Sequence, residues 1–520
     1  MLYDIVVIST AVVYVVTSLL LFTFGLNLFV FSLRVWRRGV VGRAKAETGG
    51  DLDQALPMVT VQLPIYNELY VAERIIEAVS EFDYPADRLQ IQVLDDSTDE
   101  TALIVAAAVE RVAARGLRID HVRRAERSGY KAGALAEGMK TADGEYIAIF
   151  DADFVPPSDF LRRAIVHFDA TDVAFVQARW GHVNRDYSWL TRLQALAIDG
   201  HFLVEQAGRG TAGYWFNFNG TAGVWRAEAI ADAGGWKADT LTEDLDLSYR
   251  AHLRGWTARF VEDIVVPAEI PAQLTGFRRQ QHRWARGSIE CARRLLPQVW
   301  RTSAPLMTKL QASLHLCAYF IQLLLLLLLI IYPLVVLAST EYPRFSTLFG
   351  VGYLFALTSM APTIFFVTGS RRSGRRWPLD LPYIVAITVF GAGMMVNTAR
   401  AALQIFTRPN PSFERTAKFG LGQVEEQGSS WTVKRYQLAP DRIVFAEIAL
   451  GIYGLAASYM AWVNDNWGVM IYSAIFALGL ITVATTTIWH DVALHRARTR
   501  RAQAMRGERE EIIARPAIQQ

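Results

Sequence analysis

The chain has 520 residues and a formal net charge of +3, and 52% of its residues are hydrophobic. This proportion is too apolar for an ordinary soluble enzyme, and the small net charge gives no reason to expect a nucleic-acid partner. Two cysteines are too few for a disulfide framework or a zinc site. The composition therefore predicts an integral membrane protein.

Long apolar stretches predict where the chain crosses the membrane. Five qualify: Asp4 to Arg34, Lys309 to Glu341, Arg344 to Arg371, Ile443 to Val463, and Asp465 to Asp491. Each can supply the roughly 20 helical residues that span a bilayer. The first lacks a basic start and is too long for a cleaved signal peptide, so we expect it to remain as an anchor. The fourth carries Glu447, which should reach the interface or face a neighbouring helix.

Clusters of arginine set the predicted orientation. They follow the first, third and last stretches, within residues 34–45, 371–376 and 496–501, and such clusters mark the cytoplasmic side. A further uncharged segment, Leu381 to Ala399, would leave the arginine-rich tail on the wrong side if it crossed the membrane. We therefore predict an interfacial helix there, five spans, and an N-terminus outside the cell.

The spans divide the chain into a domain plan. It has a membrane helix and basic linker at 1–44, a cytoplasmic domain at 45–308, two membrane helices at 309–370, an interfacial helix and second cytoplasmic segment at 371–441, two membrane helices at 442–490, and a basic tail at 491–520. Chemistry on a soluble substrate is expected in the 45–308 domain.

Strands and helices alternate at the start of this domain. Apolar, β-branched runs predict strands at Val59–Leu63, Ile91–Leu94, Tyr146–Phe150 and Val173–Ala178. Helical stretches lie between them, one ending near Phe82 and one at Glu100–Arg115. Such alternation is typical of a parallel sheet with helices on both faces.

Acidic residues follow three of these strands. Glu68, Asp95-Asp96 and Asp151-Ala152-Asp153 come at or just after strand ends, where ligands of open parallel sheets bind. Crowded carboxylates repel unless a cation lies among them, so we expect Mg²⁺ or Mn²⁺ bridging a nucleotide diphosphate. Alternatively, Asp95-Asp96 could simply cap the next helix. No glycine-rich dinucleotide or P-loop motif is present.

Two later motifs add candidate groups. Thr242-Glu243-Asp244 could place a base next to an acceptor hydroxyl, or Thr242 could merely cap the following helix, Leu245–Leu253. The run 280–284, QQHRW, offers an amide, a fixed cation and an aromatic face, which suit phosphate and a sugar ring. As an alternative, Arg278, Arg279, Arg283 and Arg286 could face lipid headgroups.

In this order, the motifs resemble those of membrane-embedded processive glycosyltransferases of family 2, the cellulose, hyaluronan and chitin synthase group. The likeness is closest to the plant cellulose-synthase-like A and C proteins, which make mannan or glucomannan and a β-1,4-glucan backbone. It covers roughly residues 57–300, in stretches such as VTVQLPIYNE, IQVLDDSTDET, GYKAGAL, FVQARW and FNFNGTAGVWR. The resemblance implies a GT-A-type, Rossmann-like nucleotide-sugar domain with a mostly parallel sheet, inserted between transmembrane helices.

The resemblance also implies roles for the strand-end residues. Tyr66, Glu68 and Asp96 would hold the base and ribose of the donor. Asp151 and Asp153 would hold the diphosphate and its Mg²⁺ or Mn²⁺ ion.

Further roles follow for the later motifs. Asp244 would be the general base, and Gln280, Arg283 and Trp284 would bind pyrophosphate and the acceptor sugar at a channel mouth. Other substrate-binding residues would be Lys131, Asn219 and Glu243.

Residues 413–418, FERTAK, resemble the FxVTxK gating loop of the family, with Arg415 where valine is usual. Thr416 and Lys418 would therefore contact the substrate, and the loop would be cytoplasmic. No long C-terminal regulatory domain follows in this sequence, so a cyclic-dinucleotide switch is not expected.

The implied function is an inverting, processive transfer of hexose from UDP-glucose or GDP-mannose to a β-linked glycan, of the β-1,4 type, which then crosses the membrane. The implied partners are the nucleotide sugar, a growing glycan or lipid acceptor, and the bilayer. The implied location is the plasma (inner) membrane with a cytoplasmic catalytic domain. One alternative is a non-processive glucosyltransferase that makes a glycolipid, and another is a non-enzymatic scaffold. The motifs leave the donor open, with UDP-glucose placed first, and leave the oligomeric state undefined.

Overall fold

The computed structural model describes residues 2–37, 56–342, 359–407, 415–422, 431–438 and 441–514. Most of the predicted span from Arg344 to Arg371 lies outside these ranges, as do the basic linker after Arg37 and the first two residues of the gating-loop-like motif, Phe413 and Glu414.

The domain predicted to be cytoplasmic is built on one seven-stranded sheet in the order β3-β2-β1-β4-β6-β5-β7. The strands are β1 Val59–Ile65, β2 Leu89–Asp95, β3 Arg118–Arg123, β4 Tyr146–Ile149, β5 Val173–His182, β6 Gly223–Arg226 and β7 Thr257–Ala268. Only β6 runs antiparallel to its neighbours. The predicted fold class, a mostly parallel α/β sheet, is therefore confirmed.

Helices cover both faces of the sheet and extend from it toward the apolar part of the chain. They are α2 Ala72–Ser80, α3 Thr101–Ala114, α4 Tyr130–Gly138, α5 Phe160–Ile165, α6 Trp189–Gly200, α7 Ala207–Ala212, α8 Ala227–Asp232, α9 Glu243–Leu253 and α10 Leu274–Arg301. A π-helical stretch, His201–Gln206, joins α6 to α7. The predicted helix Glu100–Arg115 corresponds to α3.

Alternation along β1 explains the two layers of core. Val59, Val61 and Leu63 are fully buried in one hydrophobic cluster. Polar side chains between them face the other way and bond to β2, where the Gln62 Nε2 donates to the Gln92 Oε1 at 3.0 Å. The Gln92 Nε2 in turn donates to the Thr141 hydroxyl at 3.1 Å, so these buried amides are tied to their neighbours across the sheet.

Three strands were not predicted from the sequence. β3 is a half-exposed edge strand with the sequence RIDHVR, so it lacks an apolar run. β6 has four residues, which is too short for a clear pattern. β7 mixes charged and apolar residues over its 12 positions. Each has a weak local signal, and pairing with neighbouring strands decides its conformation.

The remaining helices are apolar and pack together beside the domain. They are α1 Leu2–Arg37, α11 Leu306–Leu316, α12 Phe320–Glu341, α13 Ala361–Arg372, α14 Trp377–Gly393, α15 Met395–Thr407, α16 Val444–Val463 and α17 Trp467–Ala514. Within the described ranges, five segments are long and apolar enough to cross a membrane: Asp4–Arg37, Phe320–Glu341, Trp377–Thr407, Val444–Val463 and Trp467–Arg500. This agrees with a membrane protein.

The segment predicted to lie in the interface, Leu381 to Ala399, falls within Trp377–Thr407. Its length and composition suffice for crossing, so hydropathy does not favour the interfacial placement. Its two helices have different neighbours, since α14 packs on α17 and α6 whereas α15 packs on α10 and α12. The interfacial placement stays a prediction.

A buried ion pair joins the domain to these helices. The Arg278 guanidinium of α10 lies 2.7 Å from the Glu447 Oε1 of α16, and it also donates to the Thr487 Oγ1 of α17 at 3.0 Å. Both charged side chains are at most 2% exposed. Glu447 thus faces a neighbouring helix, which is one of the two placements expected from the sequence.

Candidate active site

A large cavity lies at the carboxyl ends of β1, β2 and β4, with about 1240 Å³ of empty space that includes a part open to solvent. It is lined by every site residue predicted from the sequence: Tyr66, Glu68, Asp96, Lys131, Asp151, Asp153, Asn219, Glu243, Asp244, Gln280, Arg283, Trp284, Thr416 and Lys418. Residues far apart in the chain therefore lie around one cavity, as the sequence motifs predicted.

Each strand-end aspartate has a cationic partner from another element. The Arg124 guanidinium contacts both oxygens of Asp96, with its Nε at 3.0 Å from Oδ1. Lys131 of α4 pairs with Asp151 and also donates to the Gly220 carbonyl at 2.9 Å. This bidentate contact therefore fixes the orientation of the Asp96 carboxylate in the cavity wall. This contact to Arg124 also argues against a mere helix-capping role for Asp96.

Tyr66 and Glu68 follow β1 on a bent loop. Asn67 between them has a φ of 54°, a conformation that asparagine tolerates. The Arg127 guanidinium lies 3.4 Å from the centre of the Tyr66 ring, in a cation–π contact. Burial raises the pKa of Glu68 to about 8, and Asp153 and Asp151 add to the effect against the opposing charge of Arg415. The crowding of acids expected from the sequence is thus present.

Asp244 lies at the start of α9 in a buried, acidic setting. Burial and, after it, the charge of Glu243 raise its pKa to about 7, against the opposing effects of the Leu245 amide, Lys131 and Arg283. The Asp244 Oδ1 accepts from the Leu245 amide at 2.8 Å. The Lys131 side chain is 14% exposed, and although burial lowers its pKa, Asp151 and Glu243 raise it more. A base that titrates near neutral pH therefore lies beside a lysine that stays charged.

Thr242 occupies the N-cap position of α9, and Glu243 and Asp244 lie in the first turn as the capping alternative expected, but the Thr242 side chain makes no capping bond to the helix. Its hydroxyl instead lies 3.6 Å from the Cys291 sulfur of α10. The close approach of α9 and α10 is possible because Gly287 faces Thr242, where any side chain would clash. Cys291 is buried, as an apolar filler would be.

Asn219 is held by a hydrogen-bond network that the sequence did not reveal. Its backbone amide donates to the Gln177 Oε1 at 2.8 Å, and its side chain contacts Gln206 at 2.6 Å and the His201 Nε2 at 2.9 Å. His201 and Gln206 are the ends of the π-helical stretch. Through these contacts, the stretch orients Asn219 toward the cavity edge. Such π-helical stretches are rare and often occur at functional sites.

Gln280, Arg283 and Trp284 all lie on α10. The proposal that arginines of this helix face lipid headgroups is wrong for Arg278 and Arg286, whose side chains are 2% exposed and ion-paired within the protein. The Arg283 charge acts on Asp244 across the cavity. One face of α10 thus brings an amide, a cation and an indole to the cavity.

The segment that carries Lys418 closes one side of the cavity. The Lys418 Nζ lies 2.6 Å from the Asp153 Oδ2 and 3.0 Å from the Glu269 carbonyl. The Glu269 carboxylate in turn accepts from the backbone amides of Phe419, at 2.7 Å, and Gly420, at 2.8 Å. Glu269 follows β7 and is 3% exposed. The sequence did not single it out, because a lone glutamate after a strand carries no motif.

A second stretch, 431–438, fastens the same segment to the surface of the domain. The Lys434 Nζ donates to the Phe419 carbonyl at 2.7 Å, and the Arg435 amide donates to the Tyr70 hydroxyl at 2.9 Å. Arg435 also pairs with Glu100 at 2.8 Å. The described parts of the predicted second cytoplasmic segment, 415–422 and 431–438, are thus packed on the domain next to the cavity.

The residues fit a divalent cation that is shared with a substrate. No group of three or more His, Cys, Asp or Glu side chains that could hold a metal alone occurs in the described part of the chain. Mg²⁺ and similar ions need only one or two protein carboxylates when substrate phosphates supply the rest. Lys131 contacts only Oδ1 of Asp151, and Lys418 only Oδ2 of Asp153. One oxygen of each carboxylate is thus outside these ion pairs.

The part of the chain that carries most of this cavity is similar to known proteins. Residues 57–287 match the family model described as "Glycosyltransferase like family 2". Rice (Oryza sativa subsp. japonica) glucomannan 4-beta-mannosyltransferase 1 is 47% identical over 254 residues, and Arabidopsis thaliana glucomannan 4-beta-mannosyltransferase 2 is 46% identical over 250 residues. The matched part spans 48% and 47% of this chain and the same shares of the two relatives.

Among solved structures, a mannosyltransferase from Pyrobaculum calidifontis in complex with GDP-Man and Mn²⁺ is similar at 20% identity and a TM-score of 0.48. The alignment covers 77% of this chain and 99% of that one. The family predicted from the motifs is confirmed by the family model and the relatives: residues 57–287 form a glycosyltransferase family 2 domain.

Proposed function

We propose that the protein is an inverting, processive hexosyltransferase that extends a β-linked glycan of the β-1,4 type and passes it across the membrane. The observation that carries the proposal is the shared cavity, where Asp96, Asp153 and Asp244 meet Trp284 and the Lys418 segment. A scaffold protein would have no need to keep these acids together, because burying carboxylates lowers the stability of the fold.

The donor side follows from the strand-end residues. Tyr66, Glu68 and Asp96 would hold the base and ribose, with Asp96 kept in place by Arg124. Lys131 and Asn219 would complete the pocket around the sugar. Asp151 and Asp153 would hold a divalent ion, Mg²⁺ or Mn²⁺, which when bound neutralises charge on the diphosphate.

Transfer itself would depend on Asp244. Its pKa of about 7 suits a base that must be ionised at neutral pH and still accept a proton. It would deprotonate the acceptor hydroxyl, whose oxygen then attacks the anomeric carbon opposite the leaving diphosphate, so the configuration is inverted. Arg283 would stabilise the charge that develops on the diphosphate, and Gln280 and Trp284 would position the acceptor.

The relatives favour a mannosyl donor. The two reported above are both named as glucomannan mannosyltransferases, so GDP-mannose is the first donor to test and UDP-glucose the second. We infer a cytoplasmic active site, because nucleotide sugars are soluble and the predicted arginine clusters face the same side. In a bacterial cell the membrane would be the plasma (inner) membrane.

The decisive experiment uses the full chain, purified in detergent. It is incubated with labelled GDP-mannose or UDP-glucose and with Mg²⁺ or Mn²⁺, and any product is digested with linkage-specific glycanases. A polymer that a β-1,4-specific enzyme degrades is expected. Transfer of a single hexose to a lipid would instead support the glycolipid alternative, and no metal-dependent release of nucleotide would support the scaffold.

A further inference from the structure

One wall of the cavity is formed by residues to which the sequence motifs assign no role. It contains Trp180 and His182 from the end of β5, Ile198 from α6, and Ile270 and Pro271 from the segment after β7. Hydrogen bonds tie this wall together, since the Asn184 side chain bonds to both the amide and the carbonyl of Ile270 at 2.8 Å. Side chains 180 and 182 share one face of β5 because strand residues alternate.

The wall adjoins the apolar helices through α6. Leu190, Leu193 and Leu196 of α6 form one buried cluster with Ile384 and Ile387 of α14. The Gln194 amide of α6 donates to the Pro271 carbonyl at 2.9 Å. A glycan that leaves the cavity on the side of these helices would therefore pass along this wall.

His182 is the ionisable group of this wall, and its ring is oriented by a buried carboxylate. The His182 Nε2 lies 3.0 Å from the Asp199 Oδ1, and the two side chains are 7% and 6% exposed. The other Asp199 oxygen accepts from Arg185 at 2.9 Å. Burial raises the pKa of Asp199, but the bonds from His182 and Arg185 lower it to below its ordinary value. Asp199 is thus an ionised acceptor, so the His182 Nε2 carries the proton and donates.

This arrangement leaves the other ring nitrogen available. Nδ1 has no hydrogen-bond partner among the described residues, and the ring borders the cavity. A neutral ring would accept a hydrogen bond at Nδ1, and a protonated ring would donate one. A sugar hydroxyl can do both, so either state fits.

We propose that His182, oriented by Asp199, hydrogen-bonds a hydroxyl of the acceptor glycan and sets its position in front of Asp244. The surroundings fit a sugar, because carbohydrate faces pack on aromatic and aliphatic groups such as Trp180, Ile198 and Pro271 while a few polar groups fix orientation. This inference rests on the proposed transferase function and adds a residue to its acceptor side.

The test compares acceptor and donor kinetics of His182→Phe and wild type, using the full chain in detergent with added β-1,4-manno-oligosaccharides. Losing one hydrogen bond to a bound hydroxyl should raise the acceptor KM by about 3- to 10-fold. The donor KM and nucleotide diphosphate binding should stay within about twofold of wild type, because the proposal assigns His182 to the acceptor and not to the donor. His167→Phe is the matched control, since His167 is not part of the cavity lining.

A second variant guards against misfolding. In His182→Gln the amide can reach the place of Nε2 and keep the bond to Asp199, but it leaves the place of Nδ1 empty, so its acceptor KM should rise as well. An unchanged acceptor KM in both variants, with wild-type transfer intact, would overturn the inference alone. Absence of transfer by wild type with either donor would overturn the proposed function.

Discussion

Replacing Asp244 with asparagine should abolish transfer and, at the same time, stabilise the protein at alkaline pH. A pKa of about 7 instead of 3.8 corresponds to about 4 kcal/mol against the buried carboxylate once it is ionised. Between pH 3.8 and about 7, the Asp244 carboxyl is protonated in the native state and ionised in the unfolded chain. The free energy of unfolding therefore falls as the pH rises through this range. Asparagine carries no charge and can still accept from the Leu245 amide, so it escapes this loss.

We expect the melting temperature of Asp244→Asn to exceed that of wild type at pH 8 and to approach it near pH 4. Transfer should fall by about 10²- to 10⁴-fold, the usual contribution of a general base, while binding of nucleotide diphosphate is retained. Asp87→Asn is the control, because the Asp87 side chain is 81% exposed. Near-normal turnover of Asp244→Asn would remove it from the role of base. Equal melting temperatures at pH 8 would refute the burial argument.

Three further outcomes are expected. Chelation with EDTA should stop transfer, and added Mn²⁺ or Mg²⁺ should restore it, as measured by nucleotide release; activity that persists would contradict a role for metal at Asp151 and Asp153. Glu269→Gln should lower kcat/KM by about 10- to 100-fold, because a charged acceptor of three loop amides is lost, and faster proteolysis of the 415–422 segment should accompany it. Arg278→Met should destabilise the protein by about 3–5 kcal/mol by leaving Glu447 buried and unpaired; adding Glu447→Gln should recover most of the melting temperature, and no recovery would argue against the pair.

Sequence reasoning was sufficient to predict that the motif residues lie together around one cavity. Acids that end buried β-branched runs, such as Asp96 and Asp151, are located by the strands themselves, since parallel strands end at one edge of a sheet. Four strands were predicted, and their observed bounds differ from the prediction by a few residues at most, as for Val173–His182 against Val173–Ala178. The strength of these signals comes from local apolar runs.

The supporting residues could not be predicted for a physical reason. Glu269 acts on the backbone amides of residues about 150 positions away, and any carboxylate at that place could do so. Arg124 pairs with Asp96 from 28 positions away, in a stretch of several arginines that look alike. His182 gains its orientation only through Asp199 on the next helix. Such partners are defined by tertiary packing, which leaves no periodic or spaced pattern in the sequence.

The active site that these residues build is not contained in the family 2 domain. Asp153, inside the domain, takes its cation from Lys418, which comes after the helices α11 to α15. Glu269, also inside it, is satisfied by amides of the same distant segment. Because an unpaired buried carboxylate is costly, the 415–422 segment and the domain stabilise each other's geometry.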